Sequence, residues 1–248
     1  MPTRVDLHVK VLDEAVVDRA VARGLDAIVY APHFERLPTV RERAARFSTD
    51  DLLVVPGREV FTGTWRNRRH VLALGLDDPV PDFVTLDGAM SAFERQDAVV
   101  LAPHPEFLNV SLDRADVRRY DVVDAVEAYN PKQRAVGDAP AAAARDLDVP
   151  HFGSSYAHLR SSVGAAWTTF EADLETEADL VAALRDGAPR RVEHRAGFGH
   201  RLTCLAEFAH LGWENSWKKV DRILLSGQEP THPAHVAYGG RFDDVAVY

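Results

Sequence analysis

Six side chains able to hold a cation, His8, His33, Glu59, His70, His104 and His158, each stand at the end of an apolar run or at the mouth of the loop that follows it. The runs read RVDLHV, DAIVYAPH, LLVVPGREVF, HVLALGL, AVVLAPH and VPHFGSSYAH. Strand ends are where parallel barrels gather their chemistry. Five imidazoles and one carboxylate converging on a rim form a nitrogen and oxygen nest suited to Zn, Mn or Fe. An ion held by three such ligands acidifies water and polarises a phosphoryl oxygen.

The elements that must position these residues alternate. RVDLHV leads into DEAVVDRAVARG, whose apolar residues recur at helical spacing and which stops at Gly24. DAIVYA is followed by the helix TVRERAARF, and LLVVPGREVF pairs with HVLALGL as two antiparallel strands across a polar turn. The arginines of that turn, Arg66, Arg68 and Arg69, read as a solvated loop tip. TLDGAMSAFERQ is helical before AVVLAPH, VDAVEAYN is a strand, and PAAAARDL is helical. AWTTFE is a short strand, ETEADLVAALRDG a helix, and RRVEHR a last edge strand. Repeated β–α units predict an α/β chain with a mainly parallel sheet and helices outside, and six or seven such units suit an irregular TIM-like barrel better than an open sheet. The barrel is expected over residues 1–196. A C-terminal extension over 197–248, a long helical region interrupted at Gly212 and then an irregular tail, is expected to lie against it.

Composition narrows the function. The chain has 248 residues, 46% of them hydrophobic, which suits one large core. No apolar stretch approaches the roughly 20 residues that span a bilayer, and MPTRVDLHVK has no apolar signal core, so a cytoplasmic protein without a membrane partner is expected. Cys204 is the only cysteine, which excludes an intramolecular disulfide and a Cys-rich zinc module. Acids outnumber bases 38 to 29, for a net charge of −9, and the basic residues are mostly Arg. This resembles a salt-adapted, halophilic composition, and it argues against nucleic-acid binding through a basic surface.

The ordered motifs resemble the PHP family, named for its polymerase and histidinol-phosphatase members, over roughly residues 4 to 190. The opening D-L-H-x-H of that family stands as Asp6-Leu7-His8-Val9-Lys10, and its D-H as Pro32-His33. G-x-E is Gly57-Arg58-Glu59, and the H-x-L-x-L strand is HVLALGL from His70. A-H-P is matched at His104-Pro105, V-E-x-x-N at Glu127 and Asn130, and the closing G-S-D-A-H at Gly153 to His158. The resemblance implies a distorted seven-stranded barrel, up to three Zn, Mn or Fe ions, and hydrolysis of phosphate esters of small molecules or nucleotides. It implies one metal position at Glu59, His70 and His104. A second falls at His33 and His158, and a third at His8 with Glu59 as a bridge.

The departures carry their own chemistry. The second histidine of the opening motif is Lys10, the acid before His33 is Pro32, and the acid before His158 is Tyr156. The loop after the first strand, where the family places a further ligand, is nearly absent, and Asp13 and Asp18 do not stand at its position. Residues 8 and 10 face the same side of a strand. A protonated lysine has no lone pair to give a metal. The third position is therefore expected to be lost, with Lys10 balancing Glu59 and fewer than three ions bound. The expected function is a metal-dependent phosphoesterase with a reduced site. Glu59, His104 and Lys10 take the catalytic roles, and Arg160, Lys132 and Tyr156 contact a small phosphate ester or nucleotide. The alternative is a catalytically inactive barrel acting as a binding or scaffold protein. His151, His194, His200 and His210 read as packing or hydrogen-bonded histidines.

Overall fold

The computed structural model describes residues 1–64, 66–107, 110–137, 139–213 and 230–247. Nine strands run in the order β7-β6-β5-β4-β3-β2-β1-β8-β9 in one sheet. They are β1 (Thr3–Val9), β2 (Ala27–Tyr30), β3 (Leu53–Thr64), β4 (Asn67–Leu74), β5 (Val99–Ala102), β6 (Val123–Tyr129), β7 (His151–Gly153), β8 (Ala166–Phe170) and β9 (Arg190–His194). The helices are α1 (Glu14–Ala22), α2 (Leu37–Phe47), α3 (Leu86–Glu94), α4 (Arg114–Arg119), α5 (Pro131–Val136), α6 (Ala139–Arg145), α7 (Glu177–Arg185) and α8 (Phe198–Trp213).

The sheet is mixed rather than mainly parallel. β1-β2-β3 and β5-β6-β7 are parallel runs, whereas β3-β4, β4-β5, β1-β8 and β8-β9 are antiparallel. The cause is local. The β3–β4 connection is too short for a crossover, so the chain reverses, as the polar turn predicts. The loop after β7 then returns the chain antiparallel to β1. The β4 ladder starts at Asn67, so Arg68 and Arg69 lie in the strand and not at a solvated loop tip. Arg68 is buried with its guanidinium over the Phe61 ring, and Arg69 pairs with Asp116 at 2.7 Å.

The ends of the sheet curl together into a nearly closed barrel. Thr168 Oγ1 donates to the Gly153 carbonyl and accepts from its amide, both at 2.9 Å, which ties β7 to β8. A Cβ at Gly153 would sit 2.4 Å from Val192 Cγ1 on β9, so only glycine permits this approach. Val5, Leu7, Val55, Leu72, Leu101 and Phe152 fill the interior. α1 and α2 cover β2 through Val16, Ala20, Val40 and Ala44. Each such aliphatic side chain contributes roughly 1.5–3 kcal/mol of burial. Near the C-terminus Tyr238 and Phe242 enter the cluster formed by Val60, Val71 and Phe93, and Ala246 bridges to Val84. The part of the expected C-terminal helix beyond Trp213 lies outside the described residues. No described helix is long and apolar enough to cross a membrane.

Candidate metal centre

Glu59 is the hub. Residues alternate sides along β3, so Arg58 and Glu59 face opposite ways. Arg58 meets Asp82 at 3.2 Å in a buried pair, and Asp82 Oδ1 accepts the Phe61 amide at 2.7 Å. That pair pins β3 and turns Glu59 into the barrel. The Glu59 carboxylate is 1% exposed, so it must be compensated there.

The two carboxylate oxygens divide their partners. Oε1 faces His104 Nε2 at 3.0 Å, His70 Nδ1 at 3.4 Å and His8 Nε2 at 3.5 Å. Oε2 accepts from the Lys10 ammonium and lies 3.1 Å from His33 Nδ1. Lys10 also donates to the Ala31 carbonyl. Burial alone would raise the Glu59 pKa, but Lys10, His33, His8 and His70 overcome it and hold the carboxyl well below the usual range. Burial pushes the Lys10 ammonium down to about 8 against the pull of Glu59. Burial, with Lys10 adding to it, brings His8 down to about 3, and burial lowers His104 as well. These two imidazoles are therefore neutral at pH 7 and keep a lone pair.

Glu59, His70 and His104 present one ligand atom each within 4.8 Å of one another. The donor set fits a divalent ion on an observation independent of that distance. Among the described residues both ring nitrogens of His8 and of His70 are buried without a hydrogen-bond partner, a costly state that a shared cation would relieve at one nitrogen of each ring. His104 is oriented from both sides. Ser111 Oγ stands 3.0 Å from Nδ1, and Glu127 Oε2 accepts its backbone amide at 2.7 Å. Glu127 also holds Asn130 Nδ2 at 2.7 Å and the Ser154 hydroxyl. The backbone at His104 and Tyr156 is left-handed, with φ of 36° and 46°. Strain of this kind in side-chain-bearing residues persists only where the surroundings impose it.

Tyr156 forms one wall. Its ring lies 4.6 Å from that of His8 and 4.8 Å from that of His104, with Lys132 Nζ 3.8 Å from its centroid. Lys132 is fully buried and reaches the Tyr156 carbonyl, His158 Nδ1 at 2.7 Å and Glu207 Oε2 at 3.0 Å. His158 stands at the edge of the cluster, its ring 5.8 Å from that of His33. Arg160 is mostly exposed and pairs with Asp13, the N-cap of α1, at 2.6 Å.

Sequence reasoning missed Glu207 on α8. Its Oε1 accepts the amides of His158 and Leu159, each at 3.0 Å, and the Ser162 hydroxyl. It thereby fastens the loop after β7. Asp6 was also passed over, although it accepts the Ser155 and Gly164 amides at 2.8 and 3.0 Å and ties β1 to the same loop. The nearest signal for Asp6 was its place two residues before His8 in the opening motif.

A family model described as PHP-associated matches residues 140–189. The fold is similar to the crystal structure of PsfC from Pseudomonas syringae PB-5123, with a TM-score of 0.66 and 22% identity, covering 86% of this chain and 98% of that one. It is also similar to a lesion-specific endonuclease, PfuEndoQ from Pyrococcus furiosus, with a TM-score of 0.56 and 14% identity. That match covers 77% of this chain, which spans 58% of the endonuclease. A second structure of Endonuclease Q, in complex with a 27-mer duplex substrate carrying an abasic lesion, has a TM-score of 0.53. No curated protein matches the sequence. The PHP-associated match falls on the stretch that carries β7, the GSSYAH motif and β8, and the rest of the motif series lines the rim of a barrel similar in fold to that of PsfC.

Proposed function

We propose that the protein is a metal-dependent phosphoesterase whose ion is held by Glu59, His70 and His104, with His8 beside them. The observation that carries this reading is the division of Glu59, with Oε2 engaged by Lys10 and His33 and Oε1 turned to His70, His104 and His8. A divalent ion bound there supplies an acidified water and polarises a phosphoryl oxygen. Lys10 replaces a further cation with a fixed positive charge, which is why the site is reduced and holds fewer than three ions. The Lys10 ammonium, with a pKa lowered to about 8, donates a proton more readily than a solvated lysine, toward a leaving oxygen at this rim. Tyr156, with Lys132 against its ring, shapes the wall a substrate meets.

The substrate is a small phosphate ester or nucleotide. Endonuclease Q acts on a DNA duplex, but the net charge of −9 disfavours a polyanion here. Residues 1–196 act as the barrel unit, and α8, at the start of the 197–248 extension, braces the site through Glu207. A second reading, an inactive binding barrel, draws on the same lysine: Lys10 already compensates Glu59 without an ion.

One experiment separates the two readings. The protein is purified without chelator, its metal content is measured, and phosphomonoesters, phosphodiesters and a DNA duplex are assayed with Mn or Zn. Bound ion and hydrolysis, both lost in a folded His104→Ala variant, support the phosphoesterase. Absence of bound ion and of any thermal shift with Mn or Zn establishes the binding barrel. Hydrolysis that survives in His104→Ala overturns the assigned centre.

A further inference from the structure

Outside the metal centre, Arg23 at the C-cap of α1 and Arg195, one residue beyond β9, line a cleft of about 420 Å³ with Ala165, Gly199, His200 and Thr203. The cleft shares no residue with the Glu59 cluster, and no acid lines it among the described residues. Arg195 donates Nε to the Gly164 carbonyl at 3.3 Å and has no carboxylate partner among the described residues. Burial foremost, with the nearby charges of Arg195 and Arg19, lowers the Arg23 pKa. Bringing guanidinium groups together costs free energy unless an anion lies between them.

Other donors reach the same cleft. His200 lines the cleft, with Nε2 2.6 Å from the Tyr129 hydroxyl and 3.5 Å from Cys204 Sγ. The charged side chains around His200 are His194, Arg134 and Arg23, again all basic. Gly199 and His200 lie in the first turn of the sixteen-residue α8, where backbone N–H groups have no intrahelical acceptor. A Cβ at Gly199 would meet nothing within 4 Å, so the backbone there is open to an approaching group. On a chain of net charge −9, this is a local concentration of positive charge and unfilled donors.

We propose that this cleft binds a phosphate-bearing small molecule, with Arg23 and Arg195 gripping the phosphate and the backbone N–H groups of the first turn of α8 completing its hydrogen bonds. Guanidinium forks suit the planar sets of oxygens that a phosphate presents. The cleft is also larger than an inorganic phosphate needs and falls in the range of small-ligand pockets, so the phosphate is one end of the ligand.

The test uses the full chain in chelator and low salt, titrated with inorganic phosphate by calorimetry. Acetate is the second probe, and thermal unfolding monitors folding. Wild-type protein binds phosphate; Arg23→Gln and Arg195→Gln each weaken it by about tenfold, as expected for loss of a charge-assisted contact. His104→Ala leaves it unchanged. If a Gln variant does not fold, the Lys variant replaces it, keeping the charge and losing the fork, and weakens binding less. Phosphate that does not bind wild type, binds the Gln variants equally, or is lost in His104→Ala overturns the proposal. Acetate binding as tightly as phosphate assigns the cleft to carboxylates and overturns the phosphate assignment.

Discussion

Lys10 and Glu59 form a buried ion pair that occupies one edge of the carboxylate and leaves the other edge to imidazoles. With an ion at Glu59 as proposed, the pair would couple folding to metal binding. An ionised carboxylate at 1% exposure needs a cation, and Lys10 is the one that is covalently present.

Lys10→Met should therefore destabilise the protein by about 3 kcal/mol in chelator, the range for breaking a buried pair from one side. Saturating Mn or Zn should recover much of that loss, because an ion at Glu59 stabilises only the folded state. Urea denaturation with and without metal measures both. Equal losses in the two conditions would show that Lys10 and the ion do not share Glu59.

Ser111 is the residue that sets the His104 ring. Its hydroxyl stands 3.0 Å from Nδ1, accepts the Phe107 amide at 3.1 Å and donates to the Phe107 carbonyl at 2.7 Å. With Ser111→Ala, metal affinity should fall about 10- to 100-fold, as for the loss of other groups that orient ligand histidines. Thermal stability in chelator should change little by comparison. Calorimetric titration with Zn checks it, and an unchanged affinity would remove Ser111 from the centre.

Glu207 anchors the loop between β7 and β8 from a helix far along the chain. Glu207→Ala leaves Lys132 buried without its carboxylate and frees the His158 and Leu159 amides. A loss of about 3–5 kcal/mol is expected. Hydrogen exchange should accelerate at residues 157–163 and in α8, while β3 and β4 stay protected. Uniform acceleration across the barrel would mean that Glu207 supports the whole fold rather than this loop.

How much of this was legible in the sequence depended on whether the cause was local. The β3–β4 hairpin follows from two apolar runs and a polar turn. The position of Lys10, on the same side as His8, follows from strand alternation alone. Glu207 was illegible because α8 inverts the usual rule. Its apolar residues Leu202, Leu205 and Phe208 are exposed, while Cys204 and Glu207 face inward. Periodicity therefore points to the wrong face. Arg160 stands two residues beyond His158, but its direction is decided by Asp13, a tertiary partner that no local pattern announces. The mixed sheet likewise arises from chain reversals at β4 and β8, which a count of β–α units does not register.

The closing edge of the barrel should respond to acid. Glu193 on β9 accepts from Trp167 Nε1 at 3.1 Å and from the Thr169 hydroxyl, both on β8. The Thr169 bond, foremost, with help from Trp167 and Arg191, outweighs partial burial and lowers the carboxyl below its ordinary 4.5. A pKa depressed in the folded state means that the unfolded chain binds more protons as pH falls. The stabilisation is thus fully present above about 4.5 and is lost as pH drops through the lower folded value. Because about a third of the side chain is in water, Glu193→Gln should cost only about 1 kcal/mol at pH 7. The gap between wild type and variant should hold down to pH 5 and narrow as the pH falls below the ordinary 4.5. Urea titrations of both proteins at pH 7, 5 and 3.5 measure it. A gap that widens in acid would contradict the assignment, since it would require a carboxyl that prefers its proton in the folded state.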